Sequence, residues 1–300
     1  MSVEQKRILI FGAGVIGRIY ALKFIEAWID VTVFARSNTF DTLKEKGIQY
    51  SDKGAVKSVP VKVIDKLEND DVYDFVLVTV RYDQAEAALL ALKDNQSKNI
   101  VTMTNSTIGF SSWLGIVGDR LLPAFPGAGG QIIDGILYGR IPPKFMHSGM
   151  LGEMDGTESE RLKTLTELFE TAKLPYTIIA DMNAYLITHS VSDIAMLSFL
   201  QPENKLSDGT FDRSRKTAHQ TSVIFKTYLS AIKEAGIPIT PSSFEIVLKC
   251  PYWIMDSLFM FFLGSKMAKN MMLPDYAASA NRETEQLKRD LLTFLNRNDS

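Results

Sequence analysis

The sequence is short of residues that carry metal and redox chemistry. Its 300 residues include one cysteine, Cys250, and three histidines, His147, His189 and His219. A lone cysteine excludes an intrachain disulfide and fits a reducing compartment, so a cytoplasmic location is expected. Three scattered histidines provide no metal-ligand spacing, and no metal is expected. Charge of one sign is also lacking. Lys and Arg number 33 against 35 Asp and Glu, a net charge of −2, so no broad field attracts nucleic acid or an anionic membrane. Long apolar runs are absent too. The N-terminal MSVEQKRILIF has no signal-type segment. The most apolar late stretch, Pro251–Leu263, spans thirteen residues and includes Asp256. That is too short to cross a bilayer, and it reads as a helix buried between domains or subunits. A homodimer is therefore expected, and neither a membrane nor a nucleic acid is expected as a partner.

What is present is a change of pattern along the chain. Apolar β-type runs at Arg7–Phe11, Val31–Phe34, Phe75–Val80, Ile100–Thr104 and Leu121–Phe125 alternate with helical stretches. Gln131–Tyr138 and Pro175–Ala180 add strands. Thr157-Glu-Ser-Glu160 has capping-box form before a helix with Leu162, Leu165, Leu168 and Phe169 on one face. Strands alternating with helices predict a mostly parallel sheet covered on both sides. Beyond about residue 181 strand-like runs cease and helical spacing takes over, as at Phe225, Tyr228, Leu229 and Ile232. The expected division is an α/β domain over 1–181 and an all-helical domain over 182–300. The basic run Arg213–Lys216 reads as a solvated helix end.

Gly12-Ala13-Gly14-Val15-Ile16-Gly17 is G-x-G-x-x-G, a weak pattern alone. Here it follows the first strand and opens a helix, the context that makes it a dinucleotide-binding turn of a Rossmann-type, doubly wound domain. Gly12 permits the tight turn, Gly14 admits a pyrophosphate to the backbone, and Gly17 allows helix and strand to pack closely. The end of the second strand bears on cofactor choice. Phe34-Ala-Arg-Ser-Asn38 has no carboxylate before Asp41, whereas Arg36 with Ser37 or Asn38 suits a 2′-phosphate. NADP is therefore expected. Two later strand ends should also face the cofactor: Arg81 is placed to meet a phosphate or substrate carboxylate, and Asn105 a ribose or a reacting oxygen. Each of these residues could instead be an ordinary loop residue.

With GAGVIG, VTVFAR, VLVTVRYDQ, TMTNS and the later EAGIPITP in place, the chain resembles the ketopantoate reductase (2-dehydropantoate 2-reductase) family. The likeness is firm in the first half and looser in the second. It implies a Rossmann domain followed by a helical one, with the active site between them. It also implies NADPH-dependent reduction of a small 2-oxo acid, ketopantoate to pantoate, within pantothenate biosynthesis. The departures concern the site. Arg81 stands where the family usually has lysine, and Thr104-Asn105-Ser106 stands for its Q-N-G. The lysine that donates a proton in the family falls on Tyr185, its following asparagine on His189, and a further asparagine on Asp193.

Tyr185, His189 and Asp193 recur every fourth residue, so on a helix they form one stripe, each step turning only ~40°. Reduction of a ketone needs a group that protonates the oxygen as charge builds. Histidine, which ordinarily titrates at about pH 6.5, suits that task with a carboxylate to orient it. His189 is thus the first candidate donor, with Asp193 orienting it and Tyr185 its rival. The alternative is three polar residues on a solvated face. Glu283, on the last helix, matches a late carboxylate of the family and is a further candidate. Two other functions remain open: an opine- or hydroxyacid-type dehydrogenase using the His–Asp pair, and a non-catalytic NADPH-binding sensor.

Overall fold

The computed structural model describes residues 6–265, 268 and 274–298, with side chains at all of them except 274–279 and 297–298. Residues 1–5 of the N-terminal stretch read above lie outside the described residues. The chain divides into two compact units, Met1–Thr104 with Phe110–Met182, and Asn105–Gly109 with Asn183–Ser300.

The first unit is built on an eight-stranded sheet in the order β12-β11-β8-β7-β6-β1-β2-β5. These strands are β1 (Arg7–Phe11), β2 (Asp30–Phe34), β5 (Lys62–Ile64), β6 (Phe75–Val78), β7 (Ile100–Met103), β8 (Leu121–Phe125), β11 (Gly149–Leu151) and β12 (Tyr176–Ile178). All neighbours pair in parallel except β8 and β11. A strand buried on both faces needs apolar residues throughout, and β6 and β7 are buried at every position. Helices α1 (Val15–Glu26), α2 (Ser37–Lys46), α3 (Tyr82–Ala91), α4 (Ser111–Val117) and α5 (Glu160–Thr171) connect the strands. Strand order reverses between β1 and β6, the switch point at which such sheets bind ligands beyond the strands' carboxyl ends. The fold is thus a Rossmann-type doubly wound domain followed by an all-helical one.

Three details depart from the sequence reading. Gln131–Tyr138 is not one stretch but the hairpin β9 (Gly129–Ile133) and β10 (Ile136–Arg140). It joins a second hairpin, β3 (Ile48–Asp52) and β4 (Ala55–Val59), in a separate four-stranded sheet ordered β4-β3-β10-β9. Both turns place two successive residues at positive φ, Lys53 and Gly54 at 51° and 89°, Asp134 and Gly135 at 50° and 81°. That is the type I′ geometry whose twist matches the strands. Finally, α5 is capped by Ser159, whose hydroxyl accepts from the Leu162 N–H, while Thr157 bonds Asp155. The cap belongs at the residue preceding the helix, and Thr157 lies too early.

In the second unit α6 (Met182–Leu197), α7 (Arg215–Glu234), α8 (Glu245–Lys249), α9 (Tyr252–Gly264) and α10 (Pro274–Asn298) carry the structure. Among its described residues the β pairing is one isolated bridge, Lys205 with Phe211. Ser214 caps α7 by accepting from Thr217, and Arg213–Lys216 is exposed. Three buried hydroxyls are satisfied locally: Ser190, Thr221 and Ser222 each donate to the carbonyl four residues earlier. This lets polar side chains enter helix contacts without stranding a donor. No single helix among the described residues is long and apolar enough to cross a membrane.

Candidate active site

The glycine turn is shaped by what lies against it. Gly12 has φ 123°, and a Cβ there would come within 2.9 Å of Val80 and 3.1 Å of the Thr79 carbonyl. A Cβ on Gly17 would lie 1.9 Å from the Gly12 carbonyl oxygen. Thr79 fastens the turn from the neighbouring strand end, its hydroxyl donating to that same oxygen at 2.8 Å. Gly14 is different: a Cβ there meets nothing within 4 Å. Behind it α1 begins with no side-chain cap and no acidic residue in its first turn. Its first N–H groups have no intrahelical acceptor, and the helix dipole adds positive potential. Open space at Gly14 before such an uncapped terminus fits a dinucleotide pyrophosphate. Ala13, Val15 and Ile16 are half-buried around it.

Arg18 was not singled out from the sequence, because its partners are backbone atoms. It is 6% exposed, donating from Nε to the Ala13 carbonyl at 2.9 Å and from Nη1 to the Gly135 carbonyl at 3.0 Å. It thereby ties the glycine turn to the β9–β10 hairpin. Burial holds its pKa below the usual guanidinium value.

At the end of β2, Arg36 precedes α2 in extended conformation, and its guanidinium lies 5.3 Å from the centre of the Phe34 ring. Ser37 adopts φ 51°, and Arg36, Ser37 and Asn38 are all exposed. The first turn of α2 has no acidic residue, so a phosphate here would meet a helix N-terminus and one cation. At the end of β6, Arg81 precedes α3 and grips Asp83 with Nε at 2.9 Å and Nη2 at 3.0 Å. The sequence reading overlooked this partner. A ligand anion would have to share Arg81 with it.

Asn105 leaves the end of β7 in a loop that Ser106 closes by donating to the Gly109 carbonyl at 2.7 Å. Asn105 is 5% exposed. Its Nδ2 donates to Asp193 Oδ2 at 2.9 Å, and a carboxylate that accepts this bond fixes which way the amide points. Asn105 Oδ1 consequently faces His189 Nδ1 at 3.3 Å, and Asp193 Oδ2 lies 3.4 Å from the same nitrogen. Both neighbours of Nδ1 are acceptors, so Nδ1 carries the proton. With Nδ1 protonated, Nε2 is an acceptor in the neutral ring and a donor in the charged one.

The stripe on α6 is not a solvated face. Tyr185 is 4% exposed, and Leu186, Ile187, Thr188, Ser190 and Val191 are fully buried around it. The His189 ring packs on Tyr185, centroids 5.7 Å apart. Burial, reinforced by the Asp193 charge, pushes the Tyr185 phenol well above its ordinary range. That makes it a poor acid beside histidine. Glu283 is half-buried on α10.

Residues 8–113 match the sequence model of the family described as ketopantoate reductase PanE/ApbA. Among curated proteins there is no significant sequence match. A PanE/ApbA family ketopantoate reductase from Ralstonia eutropha JMP134 has a similar structure, with TM-score 0.63 and 14% identity, covering 98% of this chain and 100% of the other. The 2-dehydropantoate 2-reductase from Methylococcus capsulatus has TM-score 0.59 and 19% identity, covering 98% of both chains. D-mandelate dehydrogenase, solved with NADH and anilino(oxo)acetate, has TM-score 0.62 and 13% identity, covering 98% of this chain and 99% of the other. At such identities the likeness is one of fold. By the family model over residues 8–113, and by fold over nearly its whole length, the chain resembles the ketopantoate reductases.

Proposed function

We propose that the chain is an NADPH-dependent reductase of a small 2-oxo acid, with ketopantoate the first substrate to test. The observation that carries this reading is the oriented imidazole of His189, held through Nδ1 by Asn105 and Asp193. Support also comes from the family match over the glycine turn and from the fold.

The groups that would hold the cofactor are the turn Gly12–Gly17, the N–H groups opening α1, and Arg36 with Ser37 for a 2′-phosphate. Bound there, the nicotinamide supplies a hydride to the carbonyl carbon. The protein's part is the proton. His189, charged, gives its Nε2 proton to the carbonyl oxygen as negative charge gathers on it, a contribution of about 10²–10⁴ in rate. Asp193 and Asn105 face the ring at Nδ1 and restrain its rotation. Arg81, even shared with Asp83, supplies a positive charge suited to a substrate carboxylate. The preference for NADPH over NADH rests on Arg36 and on the lack of a carboxylate at the end of β2. A charge-assisted hydrogen bond contributes on the order of 1.5–3 kcal/mol, about ten- to hundredfold in affinity.

A second reading is favoured by the same imidazole. Neutral His189 can take a hydroxyl proton through Nε2, so the site is equally suited to a hydroxyacid- or opine-type dehydrogenase working towards oxidation. The test is NADPH oxidation with ketopantoate and a panel of 2-oxo acids, run beside NADP reduction with the matching 2-hydroxy acids and opines. Turnover with 2-oxo acids supports the first reading, and turnover confined to the alcohols or amines supports the second. Binding of NADPH with no turnover on either panel would contradict both.

A further inference from the structure

The apolar stretch that the sequence reading buries between domains or subunits forms α9, and its outer face is exposed. Phe261 is 83% exposed, Trp253 65%, Leu258 64%, Tyr252 41% and Met260 38%, and Ile246 on neighbouring α8 is 72% exposed. Trp253, Ser257 and Phe261 succeed one another at intervals of four, so they form one ridge along the helix. Other exposed aromatics, such as Trp28 at 87%, stand apart from any such row.

This face pairs its ridge with a hollow. Met196, Phe225, Ile246, Leu258, Phe259 and Phe262 are among the residues lining an apolar groove of about 330 Å³. Leu258 rims that groove and lies one helical turn before Phe261, so knob and hole adjoin on one surface. A patch holding both is complementary to itself, which is what a two-fold contact between identical chains requires. Its composition agrees: aromatics and methionine are enriched at interface centres, and charge is depleted there. Asp256 is the acidic residue of α9, and it is 6% exposed and bonded to His219 at 3.0 Å. Of the charges beside this face, Lys233 and Glu245 pair with each other at 3.0 Å, and Lys249 at the end of α8 is exposed. With large apolar side chains presenting about 200 Å² each, the six exposed ones offer roughly 700 Å² per copy, within the range of about 600–1,000 Å² that each partner gives to a stable interface.

We propose that this α8–α9 face is the contact of a symmetric homodimer, with Phe261 of each copy seated in the groove of the other. Sedimentation equilibrium of the full chain should give a dimer at micromolar concentration. Phe261→Glu should raise the dimer dissociation constant at least ~100-fold, because a carboxylate would be desolvated in an apolar groove. A Val56→Glu control on β4, at a residue 53% exposed, should leave it unchanged. Independently, Ser257→Cys in a Cys250→Ser background should cross-link two chains on mild oxidation. A monomeric wild type at 100-fold higher concentration, an unshifted Phe261→Glu dimer, or no cross-link would overturn the proposal. So would a monomer that binds vesicles of anionic lipid through this face, since a membrane would then be its occupant.

Discussion

The glycine turn and the α6 network put chemistry in place with different materials. In the first unit the work is done by backbone. Two glycines are required by atoms 2.9 Å and 1.9 Å from where a side chain would begin, and a third faces open space. In the second unit it is done by side chains, an amide, an imidazole and a carboxylate that fix one another's orientation. A backbone site tolerates almost no substitution but binds any ligand with the right phosphates. A side-chain site can change its donor while the helix remains, and the resemblance places His189 where the family carries asparagine. The lesson is that steric fit fixes a backbone site, whereas mutual hydrogen bonds fix a side-chain one.

The sharpest way to break that contrast is within the turn itself. Gly17→Ala should destabilise the fold by at least about 2 kcal/mol, as overpacking against backbone does, and abolish measurable NADPH binding. Gly14→Ala should leave the denaturation midpoint unchanged yet weaken NADPH binding about tenfold or more. Equal stability losses in the two variants, measured by urea unfolding, would contradict the assignment of Gly14 to ligand approach. Next in size, His189→Ala should lower kcat by at least ~10² while the NADPH dissociation constant stays put. A smaller effect is expected at Arg36: Arg36→Ala should reduce the NADPH/NADH affinity ratio by about ten- to hundredfold, and an unchanged ratio would remove Arg36 from cofactor selection. Smallest of all, Tyr185→Phe should change kcat only a few-fold and leave the pH profile in place. Burial and the Asp193 charge keep that phenol protonated well above the working range. A large kcat loss in Tyr185→Phe would transfer the donor role to the tyrosine.

The sequence reading was strongest where physics is local. The parallel strands were legible because burial on both faces demands runs such as Ile8–Phe11 and Phe75–Val78. The glycine turn was legible because strand, turn and helix follow in order. The hairpin β3–β4 escaped notice because its residues are mostly half-exposed or exposed and form no apolar run. Its Lys53-Gly54 turn was the available signal, as Asp134-Gly135 was for β9–β10. The spacing of Tyr185, His189 and Asp193 foretold a stripe. It could not foretell that the helix is buried nearly all round, or that Asn105, eighty-eight residues before Asp193, joins them. Nor could spacing reveal Asp83 on Arg81, or Arg18 bridging two backbone carbonyls. Such pairings arise from tertiary packing, which periodicity does not encode.

The central claim is that the turn at Gly12–Gly17 grips a phosphorylated nicotinamide dinucleotide. Calorimetric titration of the intact chain tests this most directly. Saturable uptake of NADPH, at least about tenfold tighter than NADH, is the predicted result. An absence of heat with either nucleotide at millimolar concentration would contradict the account and remove the reductase and dehydrogenase readings together.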